Sequence, residues 1–238
     1  MSAVPSQAPS SAAMRAAAPG ASAAHPGPRL DPSLADRDYL HLAPLSAIIR
    51  ETVRSRLTGD QLRVLDLGCG WKPYAPLFAG RCRAYLGMDV TRSSAAEVLG
   101  VGGQLPFADA AFDVVLCTQE LEHDPEPQST VDEARRVLAK GGFLILSTHG
   151  VWFKHGAADY WRWTDAGLRR VMRSFEAVDI RNCGGQYSAL FQLLNLYSDP
   201  VPVVRRLLYL VNNALGVALD RILPAENLIA NYVVVARK

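Results

Sequence analysis

The stretch Arg63-Val64-Leu65-Asp66-Leu67-Gly68-Cys69-Gly70 decides the fold. Its first five residues form a short apolar run with no alternation beyond Asp66, the signature of a strand covered on both faces, as in a parallel sheet. Two glycines then allow a tight turn, and Pro73 suits the first turn of a following helix, where its missing N–H is not needed. Outward from this unit the same rhythm repeats. Apolar runs at 84–90, 112–117, 143–147, 176–181 and 232–236 read as strands. Residues 129–139 put Val131, Ala134, Val137 and Leu138 on one helical face, with Gly141-Gly142 as the expected stop, and 164–173 reads as a helix capped by Thr164. Upstream, apolar residues from Leu34 to Leu57 fall near helical spacing and predict one or two helices before the sheet. This order predicts an α/β chain: a doubly wound, mostly parallel, seven-stranded sheet with helices on both faces.

Composition sets the boundaries. Of 238 residues, the first 29 include 22 that are Ala, Pro, Ser or Gly, so 1–29 is expected to be a disordered tail and 30–238 one domain. At 49% hydrophobic and 20% charged, the chain is neither wholly disordered nor a coiled coil. The net charge of +2 comes from Arg15 and Arg29, and what remains balances at 23 basic against 23 acidic residues, which excludes a broad nucleic-acid footprint. Cys69, Cys82, Cys117 and Cys183 show no metal-ligand spacing, so no metal is expected and the thiols read as buried and reduced, as in cytoplasm. Pro5, Gln7, Pro9, Arg15 and Pro19 break up any secretory apolar core.

Chemistry concentrates at the strand ends. Ligands of open α/β sheets bind there, and the glycines of the first turn let the backbone approach an adenosine-bearing ligand. Asp89 ends the next strand 19 positions after Gly70, the spacing that brings a carboxylate to ribose hydroxyls. Pro73 stands where a dinucleotide fingerprint needs its third glycine, and Asp66 would repel a pyrophosphate while suiting a cation. A nicotinamide-dependent oxidoreductase is therefore the weaker enzyme reading. Taken alone, Asp66 and Asp89 also read as ordinary strand-end caps.

Five segments in this order, VLDLGCG (64–70), YLGMDV (85–90), LPFADAAFDVVLC (105–117), the ELEH run at 120–123 and RVLAKGGFLILS (136–147), are similar to the class I S-adenosylmethionine-dependent methyltransferases, in particular the methyltransferase type 11 group. The resemblance covers roughly residues 60–181 and implies a Rossmann-like methyltransferase fold with S-adenosyl-L-methionine as cofactor. By the same resemblance Asp66, Gly68, Cys69 and Gly70 would hold the methionine end, Asp89 and Val90 the ribose, Gln104 and Leu105 the adenine, and Thr118 and Gln119 would border the transferring methyl. Two positions depart from the family: Val101 stands where an acid usually meets the adenine amine, and Thr148-His149 where Pro is common. GCGWKPY (68–74) and HGAADYWRWT (155–164) further resemble a subgroup found among bacterial surface-glycan enzymes. A decayed, non-catalytic binding module is the second reading.

A hydroxyl acceptor must lose a proton, which makes His123, His149 and His155, all after sheet strands, candidate bases. Tyr160 and Arg162, in the densest aromatic stretch, are expected at the acceptor, with Trp161 and Trp163 expected to pack in the core. The acceptor is read as a small or glycan-like molecule methylated at oxygen. Residues 182–229 form a long helical insertion before the last strand. Its apolar run 203–223 is too short and polar to span a bilayer, and reads first as a helix over the acceptor pocket, second as a membrane-surface helix.

Overall fold

The computed structural model describes residues 29–92, 95–198 and 203–238. Of the expected tail, all but Arg29 lies outside the described residues. The chain starts with helix α1 (Tyr39–Ser55), one continuous helix that carries Pro44 in its first turns, then enters β1 (Leu62–Leu67). Strands β2 (Cys82–Asp89), β3 (Val98–Leu99) and β4 (Phe112–Thr118) follow, then α2 (Pro127–Val137) and β5 (Leu138–His149). Helix α3 (Asp165–Val171), β6 (Ala177–Asn182), α4 (Gln186–Ser198), α5 (Arg205–Ile222) and β7 (Asn231–Arg237) complete it. The seven strands form one sheet in the order β3-β2-β1-β4-β5-β7-β6, parallel except for β7, which runs antiparallel to both neighbours. The expected doubly wound, mostly parallel seven-stranded sheet is what the chain forms.

Each face of the sheet buries its own core. Leu45, Ile49 and Val53 of α1 pack with Tyr74 and Phe78 on one side, against Val64, Leu116 and Val233. On the other, Val131 and Val137 of α2 and Leu168 of α3 pack against Leu65, Val115 and Leu144. Central strands buried on both faces explain why their sequence shows no alternation.

Two local expectations are corrected. The helix expected from Pro73 is only a single 3-10 turn, Ala75–Phe78, since Gly80 at φ +73 stops it once Tyr74 and Phe78 are buried. Helix α2 ends at Val137, not at Gly141-Gly142. Leu138 already pairs with Phe112, and the next aligned pair is Val114 with Phe143, so the two glycines lie inside β5 as a bulge. Gly141 takes φ +77, and a Cβ on Gly142 would come within 2.9 Å of the Ala139 and Asp113 carbonyls. Tertiary pairing here overrides the usual reading of glycine as a helix stop.

Candidate active site

The site forms at the carboxyl edge of β1, β2, β4 and β5. After β1, Gly68 (φ +63) and Gly70 (φ +48) turn the chain through conformations that disfavour side chains. A Cβ on Gly70 would meet nothing within 4 Å, whereas one on Gly68 would collide with the Glu120 carboxyl at 2.5 Å. Asp89, at the end of β2, accepts from the Gly70 N–H (3.0 Å) through one oxygen and from the Thr91 N–H and hydroxyl through the other, which ties the two strand ends together. A cleft of about 280 Å³ lies in front of this turn, lined by Gly68, Cys69, Gly70, Thr118, Gln119 and Arg29. Gln119 sits at φ +56 with its amide nitrogen held by Asn231 (2.7 Å) and Ser147 (3.2 Å).

Two largely buried carboxyls lie behind this turn. Asp66 is 1% exposed, and burial first, then Asp89 and Glu97, push its carboxyl up to about 7 against the opposing Tyr85 hydroxyl (2.7 Å) and Lys72. Burial and then Asp89, Glu122 and Asp124 push Glu120 up to about 8. Such carboxyls gain from a cation placed among them and lose from a phosphate. The donor set therefore fits the ammonium and sulfonium of S-adenosylmethionine and opposes a dinucleotide. Cys69 is no nucleophile, since burial pushes its thiol up to about 12.

From Glu120 the chain leads into a second cluster. Glu122, fully buried, accepts from the Thr148 hydroxyl (2.7 Å), and its other oxygen lies 3.4 Å from His149 Nε2 without a hydrogen bond. The His149 ring stacks on Trp152 at 4.3 Å, and His41 of α1 meets that indole edge-on at 4.7 Å. His155 stands edge-on to both His149 (5.4 Å) and His123 (4.9 Å). Burial, chiefly, holds His149 down to about 2 and His41 down to about 4, so both rings are neutral. Donor atoms of Glu122, His123 and His155 lie within 4.8 Å of one another. Those are also metal-ligand types, but Thr148 already engages one oxygen of Glu122, and the Ala158 carbonyl engages His123 Nδ1.

The segment 155–164 is fastened over this cluster by its own ion pair. Arg162 grips Asp159 through two hydrogen bonds (2.6 and 2.7 Å) and also donates to the Trp152 and Phe153 carbonyls, which leaves its guanidinium engaged in holding the loop. That grip holds the Asp159 carboxyl well below the usual range. The Tyr160 and Trp161 N–H groups donate to the Glu122 carbonyl, and the Tyr160 side chain is exposed. Trp163 packs on the core, but Trp161 is 40% exposed, held by its indole N–H to the Asp124 carbonyl.

The structure thus brings Asp66, Gly68, Cys69, Gly70, Asp89, Thr118 and Gln119 around one turn, and His123, His149 and His155 into one cluster. Val90 is exposed beside Asp89. Gln104 is exposed in the turn after β3, paired with Val101, while Leu105 has its side chain in the core and its N–H engaged by Glu133 (2.8 Å). Sequence reading passed over Arg29, Glu120, Glu122 and His41. The ELEH run was the signal for the two glutamates; nothing marked Arg29 or His41.

Residues 65–146 match the family model described as methyltransferase domain. Over that stretch the chain is similar to methyltransferase domains. It is 34% identical over 130 residues to an uncharacterized methyltransferase of Mycobacterium sp. (strain KMS), covering 50% of this chain and 49% of that one. It is 29% identical over 134 residues to the ubiquinone biosynthesis O-methyltransferase of Leptothrix cholodnii, covering 50% and 56%. The chain thus spans about half the length of the curated relatives it matches. Among solved structures it is similar to a [4+2]-cyclase, SpnF (TM-score 0.55, 20% identity, 81% of this chain and 80% of that one), and to a SAM-dependent methyltransferase from Archaeoglobus fulgidus (0.52, 15%, 81% and 94%). Both likenesses concern the fold, and a cyclase among them is a reminder that chemistry is set by the site.

Proposed function

We propose that this domain transfers a methyl group from S-adenosylmethionine to a hydroxyl of a small or glycan-like acceptor. The observation that carries the reading is an open glycine turn with two largely buried carboxyls behind it: a ligand that is both adenosine-bearing and cationic matches it. When bound, S-adenosylmethionine supplies an electrophilic methyl on a sulfonium sulfur. Asp89 is placed for the ribose hydroxyls, Asp66 and Glu120 for the cationic end, and Arg29 for the carboxylate. Gln119, with its side-chain amide held by Asn231 and Ser147 and its N–H on the Ser147 carbonyl, borders the methyl-transfer side.

In-line displacement depends on positioning and on a dry, oriented nucleophile. The Trp152 indole, backed by the buried His149 ring stacked on it, supplies an apolar face for a sugar or ring acceptor. His155, half-buried at the edge of the cluster, or its neighbour His123 takes the hydroxyl proton. The glycan-like acceptor rests on the resemblance of 68–74 and 155–164 alone. The test is formation of S-adenosylhomocysteine with a panel of phenols, free sugars and amines. Turnover on hydroxyl acceptors supports the proposal; turnover on amines alone overturns its oxygen specificity, and binding of reduced nicotinamide in place of S-adenosylmethionine overturns the proposal outright.

A further inference from the structure

We infer that the α4–α5 hairpin is a docking surface for an anionic lipid bilayer, lying flat in the headgroup region. The two helices are inside-out. Their polar side chains face the protein: Gln192, Asn195 and Asn213 are fully buried and donate to the backbone carbonyls of Leu34, Asp36 and Arg37, at 2.8 to 3.2 Å. Those bonds fix which side of the hairpin turns outward. The outward side is apolar. On α5, Leu207, Leu210, Val211 and Leu215 are exposed, Leu207 at 61%, and no polar residue is exposed on that helix between Arg206 and Arg221. On α4, which has no charged residue, Leu190, Leu194 and Tyr197 are exposed as well, Tyr197 at 81%, and line an apolar groove with Leu219 of α5. A surface helix ordinarily turns its polar side to water, and a contiguous apolar face of this extent marks an interaction site.

The charges select the partner. Arg205 and Arg206 are exposed at one end of α5 and Arg221 at the other. Asp220, the acid of α5, turns back to accept from the N–H groups of Gly185, Tyr187 and Ser188 at the start of α4. The outer face of α5 is therefore apolar with a cation at each end and no exposed acid. A second copy packed two-fold on this face would set arginine against arginine whether the helices ran parallel or antiparallel. Anionic headgroups pair with both ends while the leucines enter the acyl boundary, as in a helix lying in the interface plane. Among the described residues no helix is long and apolar enough to cross a membrane, so docking is peripheral. Since the hairpin packs on α1, which carries His41, the bilayer would lie on the side of the domain where the imidazole cluster sits.

The experiment is sedimentation of the full chain with vesicles of phosphatidylcholine containing about a third phosphatidylglycerol, against phosphatidylcholine alone. Wild type should pellet with the anionic vesicles and be released by salt. Arg205→Glu with Arg206→Glu should weaken binding roughly 30-fold or more, and Leu207→Glu with Val211→Glu should abolish it. All four positions are exposed and outside the cleft, so S-adenosylmethionine binding and thermal unfolding should match wild type in both variants, which separates a failed docking surface from a failed methyltransferase reading. Wild type that stays in solution, variants that bind vesicles as well as wild type, or a dimer in light scattering that Leu207→Glu with Val211→Glu dissolves would each overturn the inference.

Discussion

The two proposed halves of the site, one at the first turn and one at the imidazole cluster, are built in opposite ways. The cofactor side consists of residues that stop at strand ends: Asp66 and Asp89 sit one residue from or at the end of β1 and β2, and Gly68 and Gly70 make the turn between strand and cleft. The proposed acceptor side is assembled from distant pieces, with His41 from α1, Glu122 from the turn after β4, His149 from the end of β5 and His155 from a loop held by Arg162 and Asp159. One half is acidic and wants a cation; in the other, burial keeps the His41 and His149 rings neutral. Strand ends are fixed by the sheet's register, so a short contiguous motif suffices for the first half, while the second needs long-range packing.

That difference is sharpest in the chemistry step. Replacing His155 by Ala should lower kcat about 100-fold or more while leaving S-adenosylmethionine affinity unchanged, because the ring belongs to the proposed acceptor half alone. If His123→Ala shows this loss and His155→Ala does not, His123 is the base and the order of the two rings is reversed.

The acidic half should show itself through protons. A cation favours the ionised form of Glu120 and Asp66, so binding expels protons, and affinity for S-adenosylmethionine should rise with pH up to about 8, by as much as tenfold per unit. Calorimetry at several pH values checks this. Glu120→Gln should flatten the upper part of the profile, and S-adenosylhomocysteine, which lacks the sulfonium charge, should show a weaker dependence.

The two halves also pull stability in opposite directions with pH. Asp66 and Glu120 hold protons more tightly folded than unfolded, so their contribution falls as pH rises from the ordinary carboxyl range through about 7 and 8. His41 and His149 hold protons less tightly when folded, so theirs falls as pH drops below the ordinary histidine value of 6.5. Between about pH 5 and 6 the slopes oppose, and the melting temperature of the ligand-free protein should be nearly flat; from about 7 to 8 the acids act alone and it should decline. A decline below pH 6 with none between 7 and 8 would mean the acids are not protonated in the folded chain.

The smallest effect lies outside both halves. Asp220→Ala frees three N–H groups at the start of α4 and should cost about 1–2 kcal/mol in denaturant unfolding, with cofactor affinity unchanged.

Legibility in the sequence follows the same division. The order of strands, the cap on Thr164 and the residues around the first turn are local, and periodicity or spacing exposes them. Gly141-Gly142 misled because a bulge in β5 and a helix stop use the same residue type, and only the pairing of Leu138 with Phe112 tells them apart. Arg162, expected at the acceptor, is occupied by Asp159, three positions away in its own loop. Arg29 was placed with the tail on composition, yet it lines the cleft. Glu120 and Glu122 lay in plain view within ELEH, but their importance comes from burial, which the run itself does not display.

The central claim is that Asp89 and the first glycine turn hold S-adenosylmethionine, and titration of the purified chain by calorimetry, with Asp89→Ala alongside, tests it most directly. The account predicts saturable one-site binding of both S-adenosylmethionine and S-adenosylhomocysteine to wild type, weakened at least tenfold in Asp89→Ala by loss of a charged hydrogen-bond acceptor. No binding to wild type, or equal binding to both proteins, would contradict it.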